Sequence, residues 1–177
     1  QLHRRQRQMC IRDRDNVNIH DCSNQWGVFS IAGPNSRNFL KKIVVSEDPD
    51  RTLSNKEFPW LSYRDIEIGM CPVRALRVAY TGELGWELHH PIEMQNYLLG
   101  ILLSSGEEFD IKLVGARAQN WLRQEKSYKA FGSDLGRDAG PFESNLRKFV
   151  DLNKDFLGKK ALLNRKIEVS CVTLLIE

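Results

Sequence analysis

Residues 74–90 read RALRVAYTGELGWELHH, two runs rich in strand-forming residues on either side of a short segment bracketed by Gly82 and Gly85. Residues 74–80 alternate between polar and apolar side chains, and residues 86–90 form a second run of strand-forming residues. A short glycine-bracketed connection between two such runs is typical of a β-hairpin. We therefore predict a hairpin with its turn at residues 82–85.

Two carboxylates and two aromatic rings lie within this hairpin. Tyr80 and Glu87 are predicted on opposite strands, where both can face one pocket. A carboxylate suits a ring that offers adjacent N–H donors, such as the 2-amino-pyrimidinone edge of a pterin, and an aromatic ring gives a flat ligand a stacking surface. The spacing alone favours an ordinary hairpin with solvated acids and Trp86 in the core. Glu83 is either a further ligand residue or a solvated turn residue.

Upstream of the hairpin, residues 26–32 (WGVFSIA) predict a buried strand, and Gly-Pro-Asn at 33–35 ends it. A helix is expected over residues 35–44, with Phe39, Leu40 and Ile43 on one face. The charged, proline-containing residues 45–60 predict a loop, with one possible helical turn at 54–57. The spacing of Ile66 and Ile68 favours a strand over residues 64–70.

Downstream, the expected elements are a helix opened by Pro91 and ended by Gly106, then a helix over 115–128 with Trp121 and Leu122 at helical spacing. The remaining expected segments are a short strand at 110–114, a long loop at 132–141, a short strand or helix at 145–150, a turn into a helix at 155–163 and a strand at 169–176. Strands and helices without a regular βαβ rhythm predict an α+β fold with antiparallel sheets and packed helices.

The charge of the chain is uneven. The net charge of +3 becomes −1 when residues 1–14, with five arginines and one aspartate, are set aside. We expect this segment to be a non-native or disordered tail, with an arginine-rich RNA-binding arm as the alternative. For the rest of the chain nucleic-acid binding is not predicted, because its net charge is −1. A membrane span is not predicted either, since no apolar run approaches the roughly 18 residues of a membrane helix.

No metal site is predicted either. The four cysteines are widely separated and form no C-x-x-C pair. His89 and His90 are adjacent, so on a strand they point to opposite faces and cannot easily share a metal.

The segment at 77–88, RVAYTGELGWEL, resembles the signature of the glycine-cleavage T-protein (aminomethyltransferase) superfamily, and its Leu-Gly-Trp-Glu form is most similar to the folate-binding C-terminal half of dimethylglycine and sarcosine dehydrogenases. Further segments resemble the same family in the same order, which together cover about residues 16–163. They are 26–37 (WGVFSIAGPNSR), 115–126, 133–135, 141–146 and 155–162.

The resemblance implies tetrahydrofolate as a cofactor, bound by Glu87 at the pterin ring, by Tyr80 in the same pocket and by Arg117 nearby. Arg117 is otherwise a helix-end arginine paired with a surface acid. The implied reaction moves a one-carbon unit from a small methylated amine or aminomethyl donor and gives 5,10-methylenetetrahydrofolate. The resemblance to the dehydrogenase branch implies FAD in a missing upstream domain of the parent protein. This chain itself has no dinucleotide-binding fingerprint.

The departures from the family are specific. Its upstream aspartate has no clean counterpart, so no catalytic residue is assigned, and Asp13, Asp15 and Asp21 are not nominated. We predict a module truncated at both ends, with a folate-binding domain over 15–163 and the start of a barrel-like subdomain over 164–177.

The expected parent is a flavin-dependent dimethylglycine or sarcosine dehydrogenase, in a bacterial cytoplasm or a mitochondrial matrix. The alternatives are a stand-alone aminomethyltransferase, a folate-dependent demethylase and a non-catalytic folate-binding relative.

Overall fold

A computed structural model of the chain describes residues 20–136, 139–172 and 174. Its contacts divide them into two compact units. The first holds the described residues up to Val78 together with Gly85–Ile111, and the second holds Ala79–Leu84 and the residues from Lys112 onward. The tail predicted at residues 1–14 lies outside the described residues.

The first unit is built on a four-stranded antiparallel sheet. Its strands are β1 (Trp26–Ala32), β2 (Tyr63–Ile68), β3 (Cys71–Leu76) and β4 (Gly85–Pro91), in the spatial order β1-β4-β3-β2. This sheet, together with the helices below, confirms the α+β class. The strands predicted at 26–32 and 86–90 are confirmed, and so is the strand favoured within 64–70.

The sheet buries one face more deeply than the other because successive side chains of a strand point to opposite sides. On β4, Trp86, Leu88 and His90 are fully buried, whereas Glu87 and His89 are half-buried. The buried side chains of β2 and β3 follow the same alternation. The sheet therefore contributes one face to the core of the first unit and leaves the other more open.

Two of the helices complete this core, and a one-turn helix that buries no residue lies between them in the chain. Helix α1 (Ser36–Ile43) buries Phe39, Leu40 and Ile43, the face predicted from sequence. A one-turn helix α2 (Pro49–Thr52) follows, because Asp48 accepts the Arg51 N–H at 2.9 Å and proline fits a first helical turn. Residues 54–57 form the one helical turn suggested from sequence: the Phe58 N–H donates to the Ser54 carbonyl at 2.9 Å, and the Glu57 N–H donates to the Ser54 hydroxyl at 3.1 Å.

Helix α3 (Gln95–Gly106) packs against α1 and buries Leu98 and Leu102. It ends at Gly106, as predicted. Pro91 does not open it: Pro91 is the last residue of β4, and a 3-10 helix (Ile92–Met94) precedes α3.

The strand predicted at 110–114 is wrong. A second 3-10 helix (Glu107–Phe109) extends α3, and Asp110 takes a left-handed conformation with φ of 53°. The Ile111 N–H then donates to the Gly106 carbonyl at 3.1 Å, and the Ile111 side chain lies against the Cα of Gly106. Ile111 therefore closes a helix end, as a Schellman-type cap does, instead of starting a strand.

The first strand of the predicted hairpin is shorter than expected. β3 pairs with β4 through Arg74–His89, Ala75–Leu88 and Leu76–Glu87, and then it ends. Beyond it, the Arg77 N–H donates to the Ser62 carbonyl and the Val78 N–H turns back to the Leu76 carbonyl, both at 2.9 Å. These bonds take the chain away from β4, so residues 77–84 form an eight-residue connection and Tyr80 does not lie on a strand.

The second unit contains helix α4 (Ala116–Glu125), a 3-10 helix (Arg147–Phe149) and helix α5 (Lys159–Asn164). α4 ends three residues before the predicted end, and Trp121, expected on its inner face, is 69% exposed. The helix predicted within 155–163 is confirmed. Of the strand predicted at 169–176, the described residues 169–172 and 174 form no strand. The Cys171 N–H donates to the Glu143 carbonyl at 2.7 Å.

A search of the described residues for a membrane-spanning helix found none with the required length and apolarity.

Candidate functional site

Glu87 is displayed by a rigid strand. Its neighbours along β4, Trp86 and Leu88, are fully buried on the core face, so the backbone at Glu87 is fixed on both sides. Its own side chain points to the other face and is 34% exposed. The strand therefore fixes the backbone of Glu87 and leaves its carboxylate accessible.

Trp86 anchors this segment between two arginines. The Arg37 and Arg77 guanidinium groups lie 5.4 and 5.9 Å from the centre of its ring, and Phe58 meets the ring edge-on at 6.3 Å. Arg77 also donates to the Phe58 carbonyl at 2.6 Å. Burial, and then the neighbouring charge of Arg37, lowers the pKa of Arg77. The Trp of the Leu-Gly-Trp-Glu segment is therefore a core residue, and Glu87 after it points to the more open face of the sheet.

The Glu87 carboxylate has a partner on its own strand. Oε2 of Glu87 lies 3.2 Å from Nε2 of His89, two residues along on the same face. His90 points the opposite way, as predicted, and its buried ring stacks on Phe29 at 4.9 Å. The search of the described residues found no cluster of three or more His, Cys, Asp or Glu side chains that could hold a metal ion.

Tyr80 belongs to the second unit. Its hydroxyl donates to the Lys129 carbonyl at 2.9 Å, and its ring stacks on Tyr128 with the ring centres 6.3 Å apart. The side chain remains 37% exposed. Tyr80 therefore has a fixed ring with an accessible edge, held by residues that follow α4.

Arg117 lies in the first turn of α4 and is exposed. Within the described part of the chain its guanidinium forms no hydrogen bond or ion pair, so the surface-acid pairing considered above is not observed. A cation in a first turn opposes the helix dipole, which stabilises anions at that end. Helix stability alone does not explain an arginine at this position.

Gly82 and Glu83 lie in the connection near Tyr80. Gly82 has φ of +73°, and an added Cβ there would lie 2.2 Å from Cγ of Lys126. Glu83 is exposed, and its backbone N–H lies 3.5 Å from the Thr81 hydroxyl oxygen. The glycine is thus required by a close approach to α4, and Glu83 has the surroundings of a solvated turn residue.

Sequence reasoning missed a buried ion pair in the second unit. Arg123 is 4% exposed, and it donates to the Asp134 carboxylate at 2.5 Å, to the Tyr128 carbonyl at 2.7 Å and to Asn120 at 2.8 Å. The Ala130 N–H, and with it the Arg123 guanidinium, holds the pKa of Asp134 below its usual 3.8, against the opposing effect of partial burial. The sequence gives one signal for this pair, an arginine directly after Trp121 and Leu122 in α4.

The predicted site residues are thus placed as follows. Glu87 lies in the first unit beside His89, and Tyr80 lies in the second unit beside Tyr128. Arg117 also lies in the second unit, at the start of α4. Their joint role in binding one ligand stays a prediction.

Comparisons with known proteins give consistent results. The family model described as the GCVT N-terminal domain matches residues 2–154. Mitochondrial dimethylglycine dehydrogenase of Mus musculus is 42% identical over 86% of this chain and 17% of its own length. Mitochondrial sarcosine dehydrogenase of the same organism is 34% identical, over 81% of this chain and 15% of its own.

An aminomethyltransferase of Pseudothermotoga lettingae is 32% identical, over 85% of this chain and 40% of its own length. The chain therefore spans less than a fifth of the two dehydrogenases and two fifths of the aminomethyltransferase.

Proposed function

The chain belongs to the GCVT N-terminal domain family, and from that premise we propose that it binds tetrahydrofolate and holds it for one-carbon transfer. The proposed folate-binding residues are Glu87, Tyr80 and Arg117. Glu87 orients the pterin ring, Tyr80 offers an aromatic surface, and Arg117 supplies a cation for an anionic part of the ligand.

The observation that carries this proposal is the presentation of Glu87. Its strand neighbours are buried, its carboxylate is accessible, and its described hydrogen bond occupies only one of its two oxygens. A carboxylate has about four lone-pair sites, so acceptor capacity remains for two adjacent N–H donors. These features fit the 2-amino-pyrimidinone edge of a pterin, where two parallel hydrogen bonds fix the orientation of the ring.

Tetrahydrofolate, when bound, supplies the nitrogen that accepts the one-carbon unit. We propose that the unit comes from a small methylated amine or aminomethyl donor and that the product is 5,10-methylenetetrahydrofolate. The contribution of this chain is orientation: a pterin held by Glu87 meets the carbon in a fixed geometry, which makes a bimolecular encounter effectively intramolecular. No residue of this chain is assigned as the acid or base.

The parent protein is proposed to be a flavin-dependent dehydrogenase of the dimethylglycine or sarcosine type. The identity of 42% to a dimethylglycine dehydrogenase, against 32% to an aminomethyltransferase, supports this choice. FAD would then be held outside this chain, in another part of the parent. The location would be the mitochondrial matrix in a eukaryote and the cytoplasm in a bacterium. A stand-alone aminomethyltransferase is the second candidate, supported by the match over 85% of this chain.

Calorimetric titration of 5-formyltetrahydrofolate, a stable reduced folate, into the 177-residue chain tests the proposal. We expect wild type to bind and Glu87→Gln to bind about 10- to 100-fold more weakly, because the charge-assisted hydrogen bonds are lost. Glu67→Gln is the matched control, since it neutralises an exposed carboxylate on β2. Equal affinities of wild type and Glu87→Gln, in folded proteins, would remove Glu87 from the site.

A further inference from the structure

We propose that His89 is a positioning residue for Glu87: its imidazole holds the carboxylate through one hydrogen bond to Oε2, which leaves lone pairs on both oxygens for the two N–H donors of the pterin. This inference rests on the proposed folate site. It begins from alternation along β4, which places residues 87 and 89 on the same half-open face. Nε2 of His89 and Oε2 of Glu87 are 3.2 Å apart, and the two side chains are 29% and 34% exposed.

The residues directly opposite Glu87 on the neighbouring strands carry no charge. In the sheet register Glu87 lies opposite Ser30 on β1 and Leu76 on β3. Of the described side chains, His89 alone forms a hydrogen bond or ion pair with the carboxylate. Without His89, the glutamate would have to be ordered by the ligand itself, and the lost rotamer freedom would reduce affinity.

Arg74 is the nearest alternative partner, and it is already engaged. It lies opposite His89 in the register, but its Nε and Nη2 donate to the two oxygens of Asp65 at 2.8 and 3.2 Å. Its guanidinium also lies over the Tyr63 ring, 5.4 Å from the ring centre. This ion pair draws the Arg74 side chain toward β2, on the side of β3 that lies away from β4 and Glu87.

This arrangement matters because the two donors bind carboxylates differently. Arginine tends to occupy both oxygens of a carboxylate through parallel hydrogen bonds, whereas one imidazole N–H occupies a single oxygen. Pairing with His89 therefore fixes the Glu87 rotamer and leaves Oε1 and one lone pair of Oε2 available for two parallel N–H donors. For this role His89 must carry a proton on Nε2, the nitrogen that faces Glu87.

The test is a double-mutant cycle on the 177-residue chain, with 5-formyltetrahydrofolate as the titrated ligand. We expect His89→Leu to bind about three- to tenfold more weakly, because a partly exposed charge-assisted hydrogen bond is lost. His89→Gln, which keeps an N–H donor, is expected to stay within about twofold of wild type. In the Glu87→Gln background, His89→Leu should cause no further loss, since the residue acts through Glu87.

The outcomes separate this inference from the proposed function. If folded wild type does not bind, or if Glu87→Gln binds equally well, the folate site itself fails and the role of His89 fails with it. If Glu87→Gln loses affinity but His89→Leu does not, the positioning role alone is overturned. It is also overturned if His89→Leu weakens binding equally in both backgrounds. Should His89→Leu not fold, His89→Val also removes the donor with a side chain suited to a strand position.

Discussion

Replacing Asp134 by Asn should loosen the loop that follows α4 while leaving the rest of the chain intact. Asp134 accepts hydrogen bonds from the Arg123 guanidinium at 2.5 Å and from the Ala130 N–H at 2.9 Å. An asparagine can still accept the Ala130 bond but carries no charge for the buried arginine. Arg123 still donates to the Tyr128 carbonyl and to Asn120, so the arginine loses its ion pair but keeps these two hydrogen bonds.

The expected magnitude follows from the lost interaction. A hydrogen bond between charged groups contributes about 1.5–3 kcal/mol, so a loss of about 2 kcal/mol corresponds to local opening about 30-fold more frequent. The effect depends on pH in a defined direction. Because the pKa of Asp134 is held below 3.8 in the folded chain, its contribution is complete above that value and disappears as the pH falls through the folded pKa. Wild type and Asp134→Asn should therefore converge in strongly acidic solution.

Amide hydrogen exchange measures this opening directly. The informative peptide covers residues 127–136, which includes the N–H groups of Ala130, Gly132 and Leu135. A peptide covering 85–91 in the first unit should exchange as in wild type. Asp155→Asn is the matched control, because Asp155 is an exposed carboxylate of the second unit. Exchange in 127–136 that stays within about threefold of wild type at neutral pH would refute the assigned role of the pair.

Two further changes test local features. Gly82→Ala should lower the thermal unfolding midpoint by about 2–8 °C, because the residue has φ of +73° and a Cβ would lie 2.2 Å from Cγ of Lys126. Gly115→Ala, with no atom near the added Cβ, is the control and should change it little. Iodoacetamide should label Cys71 at least about tenfold more slowly than exposed Cys22, because the Cys71 side chain is fully buried and burial raises the pKa of its thiol. Peptide mass spectrometry gives both rates, and comparable labelling of the native chain would contradict the burial of Cys71.

The sequence predicted well the elements whose partners are close or whose pattern is strong. β1 and α1 follow from an alternating run, a Gly-Pro break and an apolar helical face, and the structure has them within a residue or so of the predicted bounds. The motifs also identified the family correctly, since the GCVT N-terminal domain model matches residues 2–154. These signals are local or ordered along the chain, so they can be recognised without knowledge of tertiary contacts.

The wrong predictions lie where a hydrogen bond to a residue outside the segment determines its backbone conformation. Residues 77–80 have the alternation of a strand, but Arg77 pairs with Ser62 instead of β4. Residues 110–114 look like a short strand, but Ile111 closes the end of a helix against Gly106. In both places intrinsic strand preference is overridden by tertiary contacts, because β-propensity largely reflects the packing that surrounds a residue.

The same distinction limits what sequence can predict about the candidate site. Glu87 could be nominated because its motif fixes both its identity and its position between two core residues. The sequence predicts for His89 only that it and His90 point to opposite faces, because a sequence does not show which carboxylate an imidazole faces. Arginine side chains are usually exposed in proteins. Arg123 is nevertheless buried, because Asp134, eleven residues later, supplies the compensating charge. A candidate ligand-binding residue can therefore be nominated from a motif, whereas its side-chain partners are identified only when the fold brings them into contact.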